Sequence, residues 1–345
     1  MAQHMIKQLF SVLVLTVVTV APFGSVQAQT VTAGYHEIVI VTADSSQLQD
    51  MFEQVGAWRV IGDGEVDRKW LKMWNVQSEA TYTLLANPGS TRGFIRLIEF
   101  EGGASPLIRP NDQAWDTGGI FDFNMRVTDM KAARVALMEL GWSSFSDPVQ
   151  FSFGPFVVKE WLPRGPDSVR IAVIERVKPT LEGWPNLKKF SRAFNATMIV
   201  ADIAEARRFW RKGLGFTSYL EHKSGSKEAG PNVLGIPHNM AASVVRDVSI
   251  LHPSGKNEGS IELLAYEGAT GRDFSGQTAM PNRGLARLRF PVEGLGLLVI
   301  KLRSMGFTVS DIAEDMPLSG VGTVNMAEAT APGGSKIDLY EIAEP

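Results

Sequence analysis

The chain of 345 residues contains no cysteine. This absence excludes disulfides, thiol chemistry and lipid attachment at an N-terminal cysteine, so the fold depends on its cores alone. A surplus of positive charge is also missing, because 34 Lys and Arg are offset by 37 Asp and Glu to give a net charge of −3. Without a basic stripe interleaved with aromatic residues, the sequence predicts neither nucleic acid nor an anionic membrane surface as partner.

Several local enzyme motifs are missing as well. The sequence has no Gly-x-Ser-x-Gly elbow, no phosphate-binding loop and no dinucleotide-binding fingerprint, which sets those enzyme classes aside. Beyond the N-terminus no apolar run is long enough for a membrane span. An apolar fraction of 44% and a charged fraction of 21% indicate a soluble globular protein, and the length allows two domains.

The N-terminus has the pattern of a secretory signal peptide. Lys7 precedes an apolar run over 9–20, and Val26 and Ala28 place compact apolar residues at the −3 and −1 positions of a cleavage site. This pattern predicts removal of residues 1–28 and export to the periplasm or the medium. An apolar run of about 12 residues is too short to span a bilayer comfortably. We therefore expect no membrane partner after cleavage.

A pattern that occurs four times organises the rest of the chain. Each copy has an apolar strand, a helical stretch that ends at a glycine near an aromatic residue, further strands, and a turn into a last apolar strand. This order predicts a βαβββ module in every copy. We expect the first three helices to begin at Asp44 or Ser45, Asp129 and Asp202. The glycines that end the four helices are Gly56, Gly141, Gly215 and Gly306.

Module lengths predict how the modules combine. From the helix-ending glycine to the middle of the last strand, the copies measure 40, 31, 47 and 32 residues, so long and short modules alternate. This alternation indicates duplication of a long–short pair and favours sheets formed by consecutive modules. The alternative joins modules two and three, which would bring Asp122, Asn195 and Glu262 together. The predicted modules span 35–101, 120–177, 193–267 and 284–342, in domains 29–177 and 192–345 joined by a linker at 178–191.

The third module carries the clearest family resemblance. Its segments Ala206–Phe216 (Ala-Arg-Arg-Phe-Trp-Arg-Lys-Gly-Leu-Gly-Phe), Leu234–Pro237 and Ile261–Leu264, with Ile337–Glu341 in the fourth module, resemble the vicinal oxygen chelate superfamily. This superfamily includes glyoxalase I, extradiol dioxygenases, methylmalonyl-CoA epimerase and bleomycin-resistance proteins. The resemblance covers residues 35–342 and implies an α+β fold of two glyoxalase-like open barrels. It also implies a metal held by a His on a first strand and a Glu on a last strand.

The positions that correspond to these ligands hold a mixed set of residues. An arginine at such a position places a permanent cation where a metal would lie. A divalent metal (Fe, Mn, Zn or Ni) held by Asn195, Glu262 and Asp338, or no metal at all, are both compatible with the sequence. The positions hold His36, Arg96, Asp122 and Ala172 in the first predicted domain and Asn195, Glu262, Arg287 and Asp338 in the second.

Glu262 is the strongest catalytic candidate. It lies inside an apolar strand, where an unpaired carboxylate is costly, and we predict it to be a metal ligand or general base. Arg287 would orient an anionic or enolate-like group, with a Glu262–Arg287 ion pair as the structural alternative.

The predicted substrate-binding residues are His36, Arg96, Asn195 and His238. Their structural alternatives are hydrogen bonding within a strand and, for His238, exposure on a loop. By contrast, we expect Glu99, Glu175 and Glu341 to be solvated on the opposite strand face.

Two functions remain open at this point. The first is an exported enzyme that acts on a small oxygenated organic substrate by lyase, isomerase or dioxygenase-type chemistry, with or without a metal. The second is a non-catalytic protein that binds or sequesters a small molecule in barrels whose metal sites have degenerated. Charged residues on inward-facing strands favour the first function, and the altered ligand positions favour the second. Both predict a small-molecule ligand and a monomer or homodimer.

Overall fold

The computed structural model describes residues 30–102 and 105–344 of the chain. The predicted signal peptide, 1–28, lies outside the described residues. Within the described part, none of the helices combines the length and the apolar character that a membrane crossing requires.

The four predicted βαβββ modules are present, and modules one and two already differ in their insertions. Module one contains an additional short helix between its second and third strands. A strand from the preceding segment, β1 (Thr30–Val31), comes first. The elements that follow are β2 (Glu37–Thr42), α1 (Ser45–Asp50, continued by a π-helical turn at Met51–Val55), β3 (Arg59–Glu65), α2 (Arg68–Met73), β4 (Ala80–Ala86), β5 (Phe94–Phe100), β6 (Asp122–Val127), α3 (Met130–Glu139), β7 (Val149–Phe153), β8 (Phe156–Trp161) and β9 (Ile171–Lys178).

Modules three and four repeat this order. In module three a long connection between the second and third strands contains a single 3₁₀ turn, His238–Met240. The elements are β10 (Asn195–Ile199), α4 (Ile203–Arg207, continued by a π-helical turn at Arg208–Gly213), β11 (Thr217–Gly225), β12 (Val245–His252), β13 (Ser260–Glu267), β14 (Gly284–Glu293), α5 (Leu295–Ser304), β15 (Ala313–Leu318), β16 (Gly322–Thr330) and β17 (Lys336–Ile342).

The helices begin where the sequence predicts. The side chains of Asp44, Asp129 and Asp202 each accept a backbone N–H bond from the first turn of their helix, which satisfies a donor that the helix itself leaves unpaired.

Glutamates from the last strands also bind helix N-termini. Glu99 accepts from Ser45 N, Glu175 from Met130 N and Glu341 from Gly294 N, at 2.7–3.0 Å. The expectation that these glutamates are solvated is wrong, because each is half-buried and ties a helix to the last strand of its own module.

The modules combine into two curled sheets. Sheet I contains modules four and one in the order β15-β16-β17-β14-β2-β5-β4-β3, with β1 added beside β14. Sheet II contains modules three and two in the order β11-β12-β13-β10-β6-β9-β8-β7. In each sheet the two modules meet through antiparallel first strands, β14 with β2 and β10 with β6. The preferred pairing of consecutive modules is therefore wrong, and the alternative pairing of modules two and three is the one observed.

Module length could not distinguish the two pairings. Each sheet unites one long and one short module, as it would have done with consecutive modules. The additional residues lie in α2 and in the connection between β11 and β12, both distant along the sheet from the central strands. The alternation of module lengths therefore indicates the duplication but does not predict which first strands pair.

One hydrophobic core joins the two sheets. It combines the helices with one face of each central strand and includes Ile38, Phe123, Met198 and Phe290, one residue from each module. Because successive side chains in a strand alternate between faces, the other face of each central strand points away from this core and lines the hollow of its own curled sheet. These two hollows, the sheet I cleft and the sheet II cleft, hold the polar residues of interest.

Candidate functional site

The strand register identifies the equivalent cleft positions in the four modules. In each module the predicted last-strand residue pairs with a residue of the first strand. Both this partner and the residue two positions before it lie on the cleft face. The first-strand partners of Arg96, Ala172, Glu262 and Asp338 are Val39, Asn124, Thr197 and Arg289. Two positions earlier lie Glu37, Asp122, Asn195 and Arg287.

The first-strand residue in module one is therefore Glu37, and the assignment of His36 to this position is wrong by one residue. The helix caps contain the signal that would have found it. Asp44, Asp129 and Asp202 each lie seven residues after the cleft residue of their strand, which selects Glu37 and not its neighbour.

A chain of buried ion pairs fills the sheet I cleft. Glu37 accepts bonds from Arg96 Nε at 2.8 Å and from Arg289 Nη1 at 2.5 Å. Arg289 Nε donates to Asp338 at 2.9 Å, and Arg287 donates to the other oxygen of Asp338 at 2.8 Å. All five residues are at most 4% exposed. Burial raises the pKa of Glu37, but Arg96 and Arg289 outweigh that effect and lower it to about 2.

Aromatic side chains complete the sheet I cleft. Arg289 lies 4.2 Å from the ring of Trp70 and Arg96 lies 4.8 Å from the ring of Tyr82, distances typical of cation–π contacts. Trp70 belongs to α2 and donates its indole N–H to Pro317 O at 2.7 Å, so the inserted helix is fixed across the opening. A cavity of about 500 Å³ remains between these aromatics and the strands that carry Arg96 and Arg289.

The sheet II cleft has the opposite character, because its carboxyl groups interact with one another and form no ion pair with any Lys or Arg in the described part of the chain. Thr197 on β10 pairs with Glu262 on one side and Asp122 on the other. Two strand spacings therefore separate the Cα atoms of Asp122 and Glu262, roughly 10 Å. Glu160 on β8 approaches from the opposite wall and interacts electrostatically with both. We call Asp122, Glu160 and Glu262 the carboxyl triad.

The carboxyl triad holds protons at neutral pH. Burial raises the pKa of Glu262 to about 8, with further contributions from Asp122 and Glu160. Burial and then Asp122 raise that of Glu160 to about 8, although Arg246 opposes the shift. The pKa of Asp122 is raised by burial to about 6, against a hydrogen bond from Thr197. The side chains of Glu160 and Glu262 keep part of their surface accessible, so a ligand in the cleft can reach them.

Further polar atoms around the triad lack a partner among the described residues. These are Oδ1 of Asp122, Asn124 and Asn195, and the hydroxyl of Tyr266, all buried. Asn195 is held in place by a 2.8 Å bond from its Nδ2 to Ser260. Buried polar atoms without partners are uncommon in folded proteins, and these four are available to a polar ligand of the cleft that contains the carboxyl triad.

The structure separates the predicted catalytic pair. Glu262 lies in sheet II, whereas Arg287 lies in sheet I and is bound to Glu328 at 2.7 Å and to Asp338. Neither the predicted orienting role of Arg287 towards Glu262 nor the alternative ion pair between them is formed.

The predicted metal ligands are also separated, and the residues present do not fit a metal. Asp338 is fully buried in sheet I with both oxygens bonded to arginines, whereas Asn195 and Glu262 lie in sheet II. Across the described residues, no group of three or more His, Asp or Glu side chains is arranged to hold a metal ion. We therefore derive no chemical step through a metal.

The remaining predicted residues occupy different surroundings. His36 is mostly buried against the ring of Phe94 at 5.0 Å, and burial lowers its pKa. Arg96 lines the sheet I cavity. His238 is exposed on its 3₁₀ turn, as the structural alternative predicted. The structure brings the predicted site residues together in two sets. Arg287 and Asp338 are in contact in sheet I, and Asn195 and Glu262 lie in the sheet II cleft with Asp122, as the alternative module pairing predicted.

Solved structures of other proteins share this architecture. No protein-family model and no curated protein matches the sequence. Among solved structures, glyoxalase I from Zea mays superimposes with a TM-score of 0.58 at 14% identity, over 90% of this chain and 92% of that chain. A putative dioxygenase from Bacillus subtilis gives 0.55 at 12% identity, over 92% and 87%. The protein therefore has the vicinal oxygen chelate fold, built from two glyoxalase-like sheets.

Proposed function

We propose that the protein is an exported glyoxalase-like enzyme that catalyses proton transfer on a small oxygenated organic substrate in the sheet II cleft. The observation that carries this proposal is the carboxyl triad, three cleft carboxyl groups without a bound cation and with raised pKa values. Titratable groups perturbed in this way by burial and mutual repulsion are typical of acid–base catalysis.

The two central carboxyls suit different roles at neutral pH. Asp122, with a pKa of about 6, is mainly ionised and can remove a proton from carbon next to a carbonyl group. Glu262, with a pKa of about 8, is mainly protonated and can give its proton to the carbonyl oxygen. The result is an enol, and the reverse transfers return a proton to carbon. Strand β10 lies between the strands that carry these two carboxyl groups, so a substrate would be approached by Asp122 from one side and by Glu262 from the other.

This assignment predicts isomerase or lyase chemistry. Removal of a proton next to a carbonyl leads to isomerisation when the proton returns to another atom, and to elimination when a leaving group departs. The amide oxygens of Asn124 and Asn195 and the Tyr266 hydroxyl supply acceptors and a donor for the substrate's own hydroxyl groups.

Solvent exchange tests the proposal without knowledge of the product. The protein is incubated in D₂O with a panel of hydroxyketones and 2-oxo acids, and NMR follows replacement of the C–H next to the carbonyl by C–D. We expect exchange with at least one compound, and loss of about a hundredfold or more in Glu262→Gln. Glu267→Gln is the matched control, since Glu267 is exposed on the same strand and paired with Lys223.

The pH dependence provides the second test of the acid–base assignment. The exchange rate should rise as Asp122 loses its proton near pH 6 and fall as Glu262 loses its proton near pH 8, giving a maximum near pH 7. Exchange that is equally fast in Glu262→Gln and in the wild type would contradict the assignment.

A binding role is the second candidate, and one observation favours it for sheet I. The aromatic cavity of about 500 Å³ beside Arg96 and Arg289 has the size of a small-molecule site, yet its charged groups are bound to one another. A ligand in this cavity would be held without acid–base chemistry. Binding of a small molecule that is lost in Trp70→Ala, with no exchange activity in any variant, would favour this function.

Export is proposed from the sequence pattern of residues 1–28. Expression of the full chain in a bacterium, followed by mass spectrometry of the N-terminus, checks it. We expect a mature chain that begins at Gln29 and is recovered outside the cytoplasm.

A further inference from the structure

A second cavity lies where one end of sheet II meets the segment 178–191. It has a volume of about 610 Å³ and is enclosed by the strands that carry Arg126, Arg176 and Tyr219, by Trp184 of that segment, and by the turn between β12 and β13. Arg92 from module one closes a further side. We call this cavity the cation pocket.

Arg126 is the most unusual residue of the cation pocket. It is 3% exposed, and its guanidinium lies over the rings of Trp184 at 4.8 Å and Phe194 at 4.1 Å. Its Nε is buried without a hydrogen-bond partner, and no carboxylate pairs with it in the described part of the chain. The other buried arginines, Arg96, Arg109, Arg170, Arg287 and Arg289, each pair with an Asp or Glu.

The neighbours of Arg126 add positive charge instead of neutralising it. Arg176, Arg92 and Lys256 make no ion pair among the described residues, and the one acid of the pocket, Glu258, is bound by Arg192. Burial and then Arg176 lower the pKa of Arg126 to about 10. A buried cation without an anion is strongly destabilising, so the pocket lacks the negative charge that its residues require.

We propose that the cation pocket binds the carboxylate or phosphate group of a small organic anion, with Arg126 and Arg176 as its charged ligands. Carboxylate and phosphate groups are the preferred partners of a guanidinium, because two of their oxygens can accept two parallel N–H bonds. Phe156, Trp184 and Tyr219 offer apolar surface to the rest of the ligand.

The cation pocket is distinct from the carboxyl triad. Arg126 lies four residues after Asp122 on the same face of β6, roughly 13 Å along the strand, and none of Asp122, Glu160 and Glu262 lines the cation pocket. The proposal therefore stands independently of the proton-transfer function, and a binding measurement tests it without any assay of activity.

Calorimetric titration of the full mature protein with inorganic phosphate, and separately with benzoate, tests the proposal at constant ionic strength. We expect saturable binding of at least one probe at a single site, weakened about tenfold or more in Arg126→Met. Arg208→Met is the matched control, because Arg208 also lies over an aromatic ring, Phe307 at 4.3 Å, but is paired with Glu205. Preference for phosphate or for benzoate identifies which oxyanion the pocket selects.

Thermal unfolding separates a binding residue from a structural one. Without added anion, Arg126→Met should be at least as stable as the wild type, because it removes an uncompensated buried charge. Bound probe should raise the unfolding temperature of the wild type and leave that of Arg126→Met unchanged.

Two results would overturn the proposal: no binding of either probe by the wild type at millimolar concentration, or equal binding by wild type and Arg126→Met. If Arg126→Met does not fold, the double variant Arg176→Gln/Lys256→Gln, at less buried positions, must show the same loss.

Discussion

The two clefts solve the same problem of buried charge in opposite ways. In the sheet I cleft the buried carboxylates of Glu37 and Asp338 are bound by arginines, and the chain Arg96–Glu37–Arg289–Asp338–Arg287 leaves none of their oxygens without a cation. In sheet II the carboxyls of Asp122, Glu160 and Glu262 face one another with no such partner and take up protons instead. Both clefts occupy equivalent places on duplicated modules.

This difference separates structural from chemical use of one scaffold. A carboxylate held by two guanidiniums has a low pKa and no reason to exchange its proton near pH 7. A carboxyl that is buried beside its own kind has a raised pKa and exchanges readily. Sheet I therefore holds fixed charge, and sheet II holds mobile protons. Substitutions at equivalent positions should have opposite consequences in the two sheets.

The largest expected effect is the loss of stability in Glu37→Gln. Arg96 and Arg289 would lose the charge that binds them while remaining buried, which should cost about 3–5 kcal/mol of the free energy of unfolding. Urea denaturation measures the change, with Glu65→Gln on the exposed edge of the same cavity as control. A cost below about 1 kcal/mol would mean that the ion-pair chain is not the structural element that the comparison requires.

The two sheets should also affect the pH dependence of stability in different pH ranges. The pKa of Glu37 is lowered to about 2 in the folded state, so its contribution is present above pH 4.5 and is lost as the pH falls towards 2. Glu160 and Glu262 have pKa values raised to about 8, so the folded state retains protons that the unfolded chain releases above pH 4.5. Stability should therefore fall as the pH rises from about 5 to 8.

The double variant Glu160→Gln/Glu262→Gln tests the alkaline part of this profile. It should remove most of the decline between pH 5 and 8, because it removes the two groups that retain protons only in the folded state. Urea denaturation across that range measures the change. The acid limb should remain, because Glu37 is untouched. An unchanged alkaline decline would show that the carboxyl triad does not hold its protons as described.

The smallest expected effect is one that the two sheets should share. Glu99→Ala in sheet I and Glu175→Ala in sheet II each remove a carboxylate that binds a helix N-terminus, and each should cost about 1 kcal/mol. Equal thermal shifts would show that the sheets differ at their clefts and not in their general construction. A large difference between the two thermal shifts would mean that the sheets also differ away from their clefts.

The fold could be predicted from sequence because its determinants are local. Helix-ending glycines, aspartate caps and apolar strands recur within each module, and all are readable over a few residues. Glu262 could be predicted as a cleft carboxyl because its neighbours Ile261 and Leu263 are apolar and reach the core. The alternative pairing of modules two and three predicts that Asp122 lies near Glu262.

The rest of the site depends on contacts that local sequence does not encode. Glu37 and Arg289 are 252 residues apart, and neither strand indicates that it pairs with the other. Glu160 follows Lys159 on β8, and two adjacent charged residues do not reveal which one faces a cleft. Trp184 lies in the segment 178–191, which the sequence predicts to be a linker, yet its ring contacts Arg126 and Arg192.

The pairing of the first module with the last constrains the order of assembly during synthesis. Strand β2 emerges early from the ribosome, but its neighbour β14 follows about 250 residues later. Modules two and three can form sheet II as soon as both have been made. Glu37 has Arg96 within its own module but must await the C-terminal module for its second arginine, Arg289. Such long sequence separation slows folding. Removal of residues from the C-terminus should therefore unfold the N-terminal strands first.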